Sequence, residues 1–265
     1  MLVSFKNAVL LCTFLSLSSS ALSETQTINI AADPWCPYNC EPSSPQPGFM
    51  IDIARESLAL SGYTLNYKLL NWARTKTLTQ SGQLDGIVGM GYDQETSKLY
   101  HFPKTALGES QICFYQRAAE DWQYQNIQDL DTKVFGWIND YGYPHPPLDQ
   151  WIAEHRNSTK IMTIAGKDTH SRLFKLLQIK RIDTFAEDKT VIAYELLKSG
   201  LQRTIKTAGC LQELEKVFIA FSLHYPKKEA WANALDSGVK TLKESGRLAE
   251  ILSSYGLSIN SWFSQ

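Results

Sequence analysis

Aromatic side chains and one arginine stand where predicted strands end, and these residue types recognise small molecules without reacting with them. Trp35 follows the strand predicted over 27–31, and Trp72 and Arg74 follow the strand predicted over 65–70. An indole forms an apolar wall or stacks on a cationic group, and a guanidinium binds a carboxylate through two parallel hydrogen bonds. The alternatives are simple burial for the tryptophans and a surface ion pair for the arginine.

Further candidates follow other predicted strands. Gly89 lets the backbone approach a ligand or forms a tight turn. The stretch 141–143 precedes a predicted helix, whose free N–H groups can hold an anion. Asp188 either accepts a hydrogen bond from an ammonium group or caps the next helix. The full set of candidate ligand-binding residues is Trp35, Tyr38, Trp72, Arg74, Gly89, Tyr92, Tyr141, Gly142, Tyr143 and Asp188.

Motifs of the common enzyme classes are missing from the sequence. It contains no G-x-S-x-G, no H-E-x-x-H, no phosphate-binding loop and no dinucleotide fingerprint, so no catalytic residue is assigned. The five histidines are scattered, and neither a metal nor another cofactor is expected. With 26 basic against 27 acidic residues and no basic stripe, nucleic acid is a poor candidate partner.

The N-terminus has the order of a secretory signal peptide: Lys6, a short apolar run over 8–17, and small residues up to Ser23. The apolar run is too short to span a membrane, and the alternative is a buried N-terminal helix. Removal of residues 1–23 from the 265-residue chain leaves about 242 residues, enough for one large domain or two small lobes. We therefore expect a soluble, periplasmic protein.

Four cysteines lie beyond that segment: Cys36, Cys40, Cys113 and Cys210. An oxidising compartment favours disulfides. The three-residue gap between Cys36 and Cys40 indicates a structural bridge, since redox motifs have a two-residue gap. A second bridge, between Cys113 and Cys210, is left open.

Predicted strands and helices alternate through the first ninety residues and again over 133–198, which is typical of parallel sheets covered by helices. Isolated apolar strands over 110–117 and 216–222 separate these two α/β units, and both strands are expected to cross between them. Ligands of open α/β sheets lie beyond the carboxyl ends of strands, where the candidate residues stand. The predicted division is signal peptide 1–23, first part of lobe 1 24–115, lobe 2 116–216, and return strand and C-terminal helices of lobe 1 217–265.

Short motifs along the whole mature chain occur in the order found in a known family. GFMIDIA at 48–54 looks like that family's GF-x-x-D-L/I-A, and SGQLDGI at 81–87 is similar to its S-G-x-x-D-x-I. LKESGRLAEI at 242–251 resembles its L-K-x-x-G-x-L-A-x-I. The chain thus resembles family 3 of the solute-binding proteins, the periplasmic binders of polar-amino-acid ABC transporters.

This resemblance implies an α/β, two-lobed type II periplasmic-binding-protein fold, in which each lobe is a mainly parallel sheet flanked by helices and two hinge strands join the lobes. It implies a monomer that closes around a small polar, amino-acid-like ligand without transforming it, for an ABC transporter permease. Two alternatives stay open. One is a sensor module for a membrane receptor. The other is a cyclohexadienyl-dehydratase-like enzyme, for which Glu95, Glu109 and Asp188 are nominal acids.

One segment departs from the family pattern. The amino-acid binders usually carry an arginine in a T-x-E-R segment, where it holds the ligand carboxylate. Here the segment is DQET at 93–96, so Thr96 replaces the arginine. An α-carboxylate then needs another cation, and Arg74 is the nearest candidate.

Overall fold

The computed structural model describes residues 26–258. The signal peptide predicted over 1–23 lies outside the described residues. Within the described range, no helix has both the length and the apolar composition that a membrane crossing requires.

Lobe 1 is built on three parallel strands. β1 (Gln26–Ala32) lies between β2 (Tyr63–Leu69) and β3 (Gly86–Gly91) and pairs in parallel with both. A helix follows each of the first two strands because their connecting segments carry apolar residues at helical spacing or begin at a capping residue. The other elements of this lobe are α1 (Phe49–Ala59), α2 (Trp72–Gln80), α3 (Thr96–Leu99), β4 (Tyr100–His101), α7 (Lys228–Glu244) and α8 (Arg247–Ser254).

Lobe 2 repeats this arrangement with its own strands. β6 (Phe135–Ile138) lies between β7 (Ile161–Ile164) and β8 (Thr184–Asp188) and pairs in parallel with both. The helices of this lobe are α4 (Pro146–His155), α5 (Thr169–Gln178), α6 (Lys189–Ser199) and a 3-10 turn at Ile127–Leu130.

Two long antiparallel strands connect the lobes. β5 (Gly108–Arg117) and β9 (Ile205–Ser222) pair with each other, β9 also pairs with β3, and β5 also pairs with β8. The backbone ladder therefore runs through both lobes in the order β2-β1-β3-β9-β5-β8-β6-β7. Its register shifts on both sides of Cys113, so the ladder is irregular where it passes between the lobes. The predicted lobe boundaries at 115/116 and 216/217 stay a prediction.

Two strands differ from their predicted bounds. β9 begins at Ile205, whereas the sequence predicted a strand only over 216–222. Residues 212–214 are exposed, so the apolar alternation is lost there although the backbone stays paired. β8 was predicted over 181–185 and is found at Thr184–Asp188, because Asp183 is held in the preceding turn by the backbone N–H of Val134 at 2.9 Å.

Each lobe has its own apolar core. Phe49, Ile219 and Trp231 are buried in lobe 1, and Phe135 and Phe185 are buried in lobe 2. Because separate cores are joined mainly by two strands, the lobes can move relative to each other. The cysteines lie at disulfide distance in two pairs, Cys36 with Cys40 and Cys113 with Cys210.

Candidate functional site

A cavity of about 420 Å³ lies between the two lobes, and this size is typical of small-molecule sites. Lobe 1 contributes the loop after β1, the start of α2 and the end of β3. Lobe 2 contributes the loop after β6, one face of α4 and the end of β8. Most of these segments are carboxyl ends of parallel strands, where open α/β sheets bind their ligands.

The cavity brings together most of the residues that the sequence singled out. Those that line it are Trp35, Trp72, Gly89, Tyr141, Gly142 and Tyr143. Tyr38, Arg74, Tyr92 and Asp188 lie outside its lining. Ligand contact by any of these residues stays a prediction, and the position of each outlying residue indicates a different role.

Tyr38 lies beneath Trp35 and fixes its position. The two rings are stacked with centroids 4.0 Å apart, and Tyr38 is fully buried. Its hydroxyl donates a hydrogen bond to the backbone oxygen of Glu109 on β5 at 2.6 Å. Tyr38 therefore ties the loop after β1 to a connecting strand and presents the Trp35 ring to the cavity.

Arg74 and Tyr92 lie on the surface. Arg74 is exposed on the first turn of α2, and its backbone N–H donates to the capping side chain of Asn71. Tyr92 is 61% exposed and packs edge-on against Phe102, with ring centroids 5.1 Å apart.

Asp188 is fully buried, and its carboxylate is saturated with donors. One oxygen accepts from the backbone N–H groups of Thr190 and Val191 at 2.8 and 2.9 Å, which makes Asp188 the N-cap of α6. The other accepts from Ser110 Oγ and Gln111 N, both at 3.0 Å, and lies 3.2 Å from the Tyr38 hydroxyl, whose proton is donated to Glu109. This carboxylate joins α6 to β5 and has no free acceptor position facing the cavity.

Two glycines make room at the lobe 1 wall. Gly89 has φ of +83° at a break in the β3 register, and a side chain there would lie 3.7 Å from the Trp35 ring. A β-carbon at Gly91 would collide with the carboxylate of Glu215. Glycine is required at the first position by its backbone angle, and a β-carbon at the second would displace the Glu215 carboxylate.

Polar contacts cross directly between the lobes at the cavity. The Tyr141 hydroxyl donates to Asp33 Oδ2 at 2.6 Å, and Trp35 Nε1 donates to Glu187 Oε1 at 3.0 Å. Lys76 Nζ donates to the backbone oxygen of Asp140 at 3.1 Å. The lobes are therefore in a closed arrangement, with hydrogen bonds on more than one side of the cavity.

A buried ion pair supports the lobe 2 side of this closure. His170 Nε2 lies 2.9 Å from Glu187 Oε2, and both side chains are almost completely buried. Burial lowers the pKa of His170, but the hydrogen bond and charge of Glu187 outweigh it, so the net pKa lies above its usual value. Glu187 is thereby held in position for Trp35.

The cavity lining is strongly acidic. It contains six carboxyl side chains and two cationic ones, and the acids are Asp33, Asp93, Asp140, Asp149, Glu187 and Glu215. Burial raises the pKa of Asp33 to about 6 and that of Asp149 to about 6. Burial, together with repulsion from Asp93 and Asp149, raises the pKa of Glu215 to about 7.

Sequence reasoning missed these acids, although one signal was available. Asp33 directly follows β1, and Glu187 lies in β8, whose residues are all buried. An acid within a buried strand needs donors or a ligand. Glu215 gives no such signal, since it lies in the mostly polar and largely exposed stretch 212–216.

Thr96 lines the cavity at the position of the family's arginine. Its hydroxyl donates to the backbone oxygen of Gly91 at 3.0 Å and lies 3.1 Å from Asp93 Oδ1. It therefore stabilises the turn after β3 and supplies no positive charge to the cavity.

The comparisons with known proteins agree with this architecture. The family model of the bacterial extracellular solute-binding proteins, family 3, matches residues 28–258. No curated protein sequence matches the chain. A histidine kinase sensor domain with similarity to periplasmic binding proteins superposes with a TM-score of 0.72 at 15% identity, covering 86% of this chain and 95% of that one.

Two amino-acid-binding structures are also similar. An ancestral arginine-binding protein bound to arginine has a TM-score of 0.69 at 18% identity, covering 86% of this chain and 97% of that one. The arginine-, lysine-, histidine-binding protein ArtJ from Geobacillus stearothermophilus has a TM-score of 0.67 at 17% identity, covering 91% of this chain and 96% of that one.

These likenesses confirm the predicted α/β fold of the type II periplasmic-binding proteins. Together with the match over 28–258, they establish that the chain belongs to the bacterial extracellular solute-binding proteins, family 3.

Proposed function

We propose that this protein captures a small polar, amino-acid-like solute in the cavity between its lobes, outside the cytoplasm, for an ABC transporter permease. The observation that carries the proposal is a cavity lined by both lobes and bordered by hydrogen bonds between them. A solute in this cavity touches both walls only when the lobes are closed. It therefore favours the closed form by the difference between its affinities for the two forms.

The two walls act in sequence. The lobe 1 wall, with Trp35, Trp72 and Gly89, is formed within one lobe and receives the solute first. Tyr141 and Tyr143 of lobe 2 then cover it. Closure forms the hydrogen bonds from Tyr141 to Asp33 and from Trp35 to Glu187, which join residues more than a hundred positions apart in sequence.

Capture without chemical transformation is supported by where the nominal catalytic acids lie. Glu95 is exposed and pairs with Lys98 at 2.7 Å. Asp188 is saturated with donors, and neither it nor Glu109 lines the cavity. A general acid must reach the reacting group of a bound substrate, and none of these three carboxyls is positioned for that.

A sensory role is the second candidate, favoured by the likeness to a histidine kinase sensor domain. In that case the closed form engages a membrane receptor instead of a permease. Reconstitution separates the two: ligand-dependent stimulation of a permease's ATP hydrolysis supports transport, and ligand-dependent receptor phosphorylation supports sensing.

The test of solute capture is a titration of the purified mature protein with a library of small solutes. Tryptophan fluorescence and thermal shift are the readouts, because Trp35 and Trp72 line the cavity. Trp72→Ala should weaken any binding, whereas Leu197→Ala, at a surface residue that is 69% exposed, should not. A library without a single response would contradict the proposal.

A further inference from the structure

The charges of the cavity are unbalanced, and the cations that line it do not restore the balance. Against six carboxyl side chains stand only Lys76 and Arg156. Lys76 is already engaged by Asp140, through the backbone oxygen at 3.1 Å and the carboxylate at 4.0 Å. Arg156 is exposed at the end of α4. Glu187 pairs with the buried His170, whereas none of the other four acids forms an ion pair within residues 26–258.

One end of the cavity combines buried acceptors from both lobes. Asp33 and Glu187 line it, and Asn39 lies beside them. Asn39 is 1% exposed and donates through Nδ2 to the backbone oxygen of Asp33 at 2.6 Å. Its Oδ1 atom is buried and has no hydrogen-bond partner among the described residues. A buried acceptor without a donor is costly, and a ligand N–H group at this end would satisfy it.

The other end gathers carboxylates from three separate elements. Glu215 comes from β9, Asp149 from α4 and Asp93 from the turn after β3. All three line the cavity, and repulsion from each of the other two raises the pKa of Glu215. Asp149 accepts from Tyr143 N at 3.0 Å, but no described residue donates a hydrogen bond to Glu215.

Aromatic rings lie along the cavity with these acids. The rings that line it are those of Trp35, Trp72, Trp137 and Tyr141. The Trp72 and Tyr141 rings meet edge to face across the lobes, with their centroids 6.1 Å apart. Such rings suit an aliphatic chain and attract cations over their faces. Among residues 26–258, no group of three or more acids, histidines or cysteines is arranged to hold a metal ion. Acids and aromatic rings together suit an organic cation.

We propose that the cavity takes a small organic dication, with an ammonium or guanidinium group at each end, and that an α-carboxylate is not required for binding. One cationic group lies against Asp33, Glu187 and Asn39 Oδ1, and the other lies against Glu215 and Asp149. The absence of an arginine at Thr96 fits this assignment, since an added cation there would repel the second group. This inference rests on the proposed function, because it names the class of solute that the same cavity captures.

The test compares molecules that differ only in the carboxylate. Agmatine is arginine without its carboxylate, and cadaverine is lysine without its carboxylate. Each pair is titrated into the mature protein by calorimetry, together with glutamine and glutamate as neutral and acidic probes. The expected result is that at least one dication binds about tenfold more tightly than its parent amino acid, and that glutamate does not bind.

A charge-removing variant locates the second cationic group. Glu215→Gln keeps the size of the side chain and should weaken dication binding about tenfold. Glu229→Gln removes an equal charge from the exposed first turn of α7 and should leave binding unchanged. Equal losses in both variants would contradict a contact at Glu215.

The outcomes separate this inference from the proposed function. Tight binding of arginine, glutamine or glutamate with no binding of either dication would overturn the dication assignment and leave solute capture intact. If none of the six probes binds (arginine, agmatine, lysine, cadaverine, glutamine and glutamate), the dication assignment is overturned as well. The solute library then decides whether capture itself survives.

Discussion

The lobes meet at two places, and buried acids serve opposite purposes in them. At the junction between α6 and β5, four donors surround the carboxylate of Asp188. In the cavity, Glu215 is largely buried and has no donor among the described residues. Burial raises the pKa of both groups, but hydrogen bonds from the chain offset part of this cost at Asp188 and none of it at Glu215. The comparison indicates that Asp188 is structural and that Glu215 lacks a donor that a ligand can supply.

Asp188→Ala is the strongest test of the structural role assigned to Asp188. The substitution removes the cap of α6 and leaves the donors of Ser110 and Gln111 without an acceptor. Loss of a cap and exposure of unsatisfied buried donors should together lower the free energy of unfolding by about 3 kcal/mol. Urea denaturation measures this change. Asp121→Ala, at a side chain that is 98% exposed, should change it by less than about 0.5 kcal/mol.

A comparable loss from Asp121→Ala, or no loss from Asp188→Ala, would show that the four hydrogen bonds to Asp188 do not offset the cost of its burial. The distinction between the two regions would then have no energetic basis.

The pH dependence of stability tests whether burial of the cavity carboxylates is costly. Folding raises the pKa of Glu215 from 4.5 to about 7 and that of Asp33 from 3.8 to about 6. A carboxyl with a raised pKa contributes stability that is fully present below its unfolded pKa and is lost as the pH rises through its folded pKa. The free energy of unfolding of the ligand-free protein should therefore fall between about pH 4 and about pH 7, with about 3 kcal/mol of the fall from Glu215.

Glu215→Gln isolates that contribution. The raised pKa values of His170 and Asp188 act in the same direction and remain in the variant, so the fall should become smaller without disappearing. Urea denaturation at pH 5 and pH 8 gives both values. An unchanged pH dependence in Glu215→Gln would mean that the protein already offsets the cost of burying this carboxylate.

A smaller effect is expected from Tyr141→Phe, which keeps the aromatic wall and removes the hydrogen bond to Asp33. Such a bond contributes about 1 kcal/mol, and its loss should disfavour the closed form alone. X-ray scattering should give a larger radius of gyration for the ligand-free variant, and solute affinity should fall about fivefold. Tyr194→Phe on the surface of α6 is the matched control, and identical scattering from the two variants would contradict the role of Tyr141 in closure.

Sequence patterns predicted the fold better than the chemistry of the cavity. α1 was predicted because its apolar residues repeat at helical spacing, and that local signal survives folding. The candidate aromatic residues were found because strand ends mark the binding edge of a sheet. The contact of Trp35 with Glu187 joins positions 152 apart, and no local pattern encodes such a distance. Glu215 was missed because it lies in a mostly polar stretch just before residue 216, where the predicted strand began.

The most direct measurement of the central claim is the number of protons that leave the protein when agmatine binds. At pH 6, carboxyls with pKa values of about 6 to 7, such as Asp33 and Glu215, are partly protonated, and a bound dication should ionise them. Calorimetry in buffers of different ionisation enthalpy counts these protons. The account predicts net proton release that becomes smaller in Glu215→Gln. Binding without proton release, or with proton uptake, would contradict it.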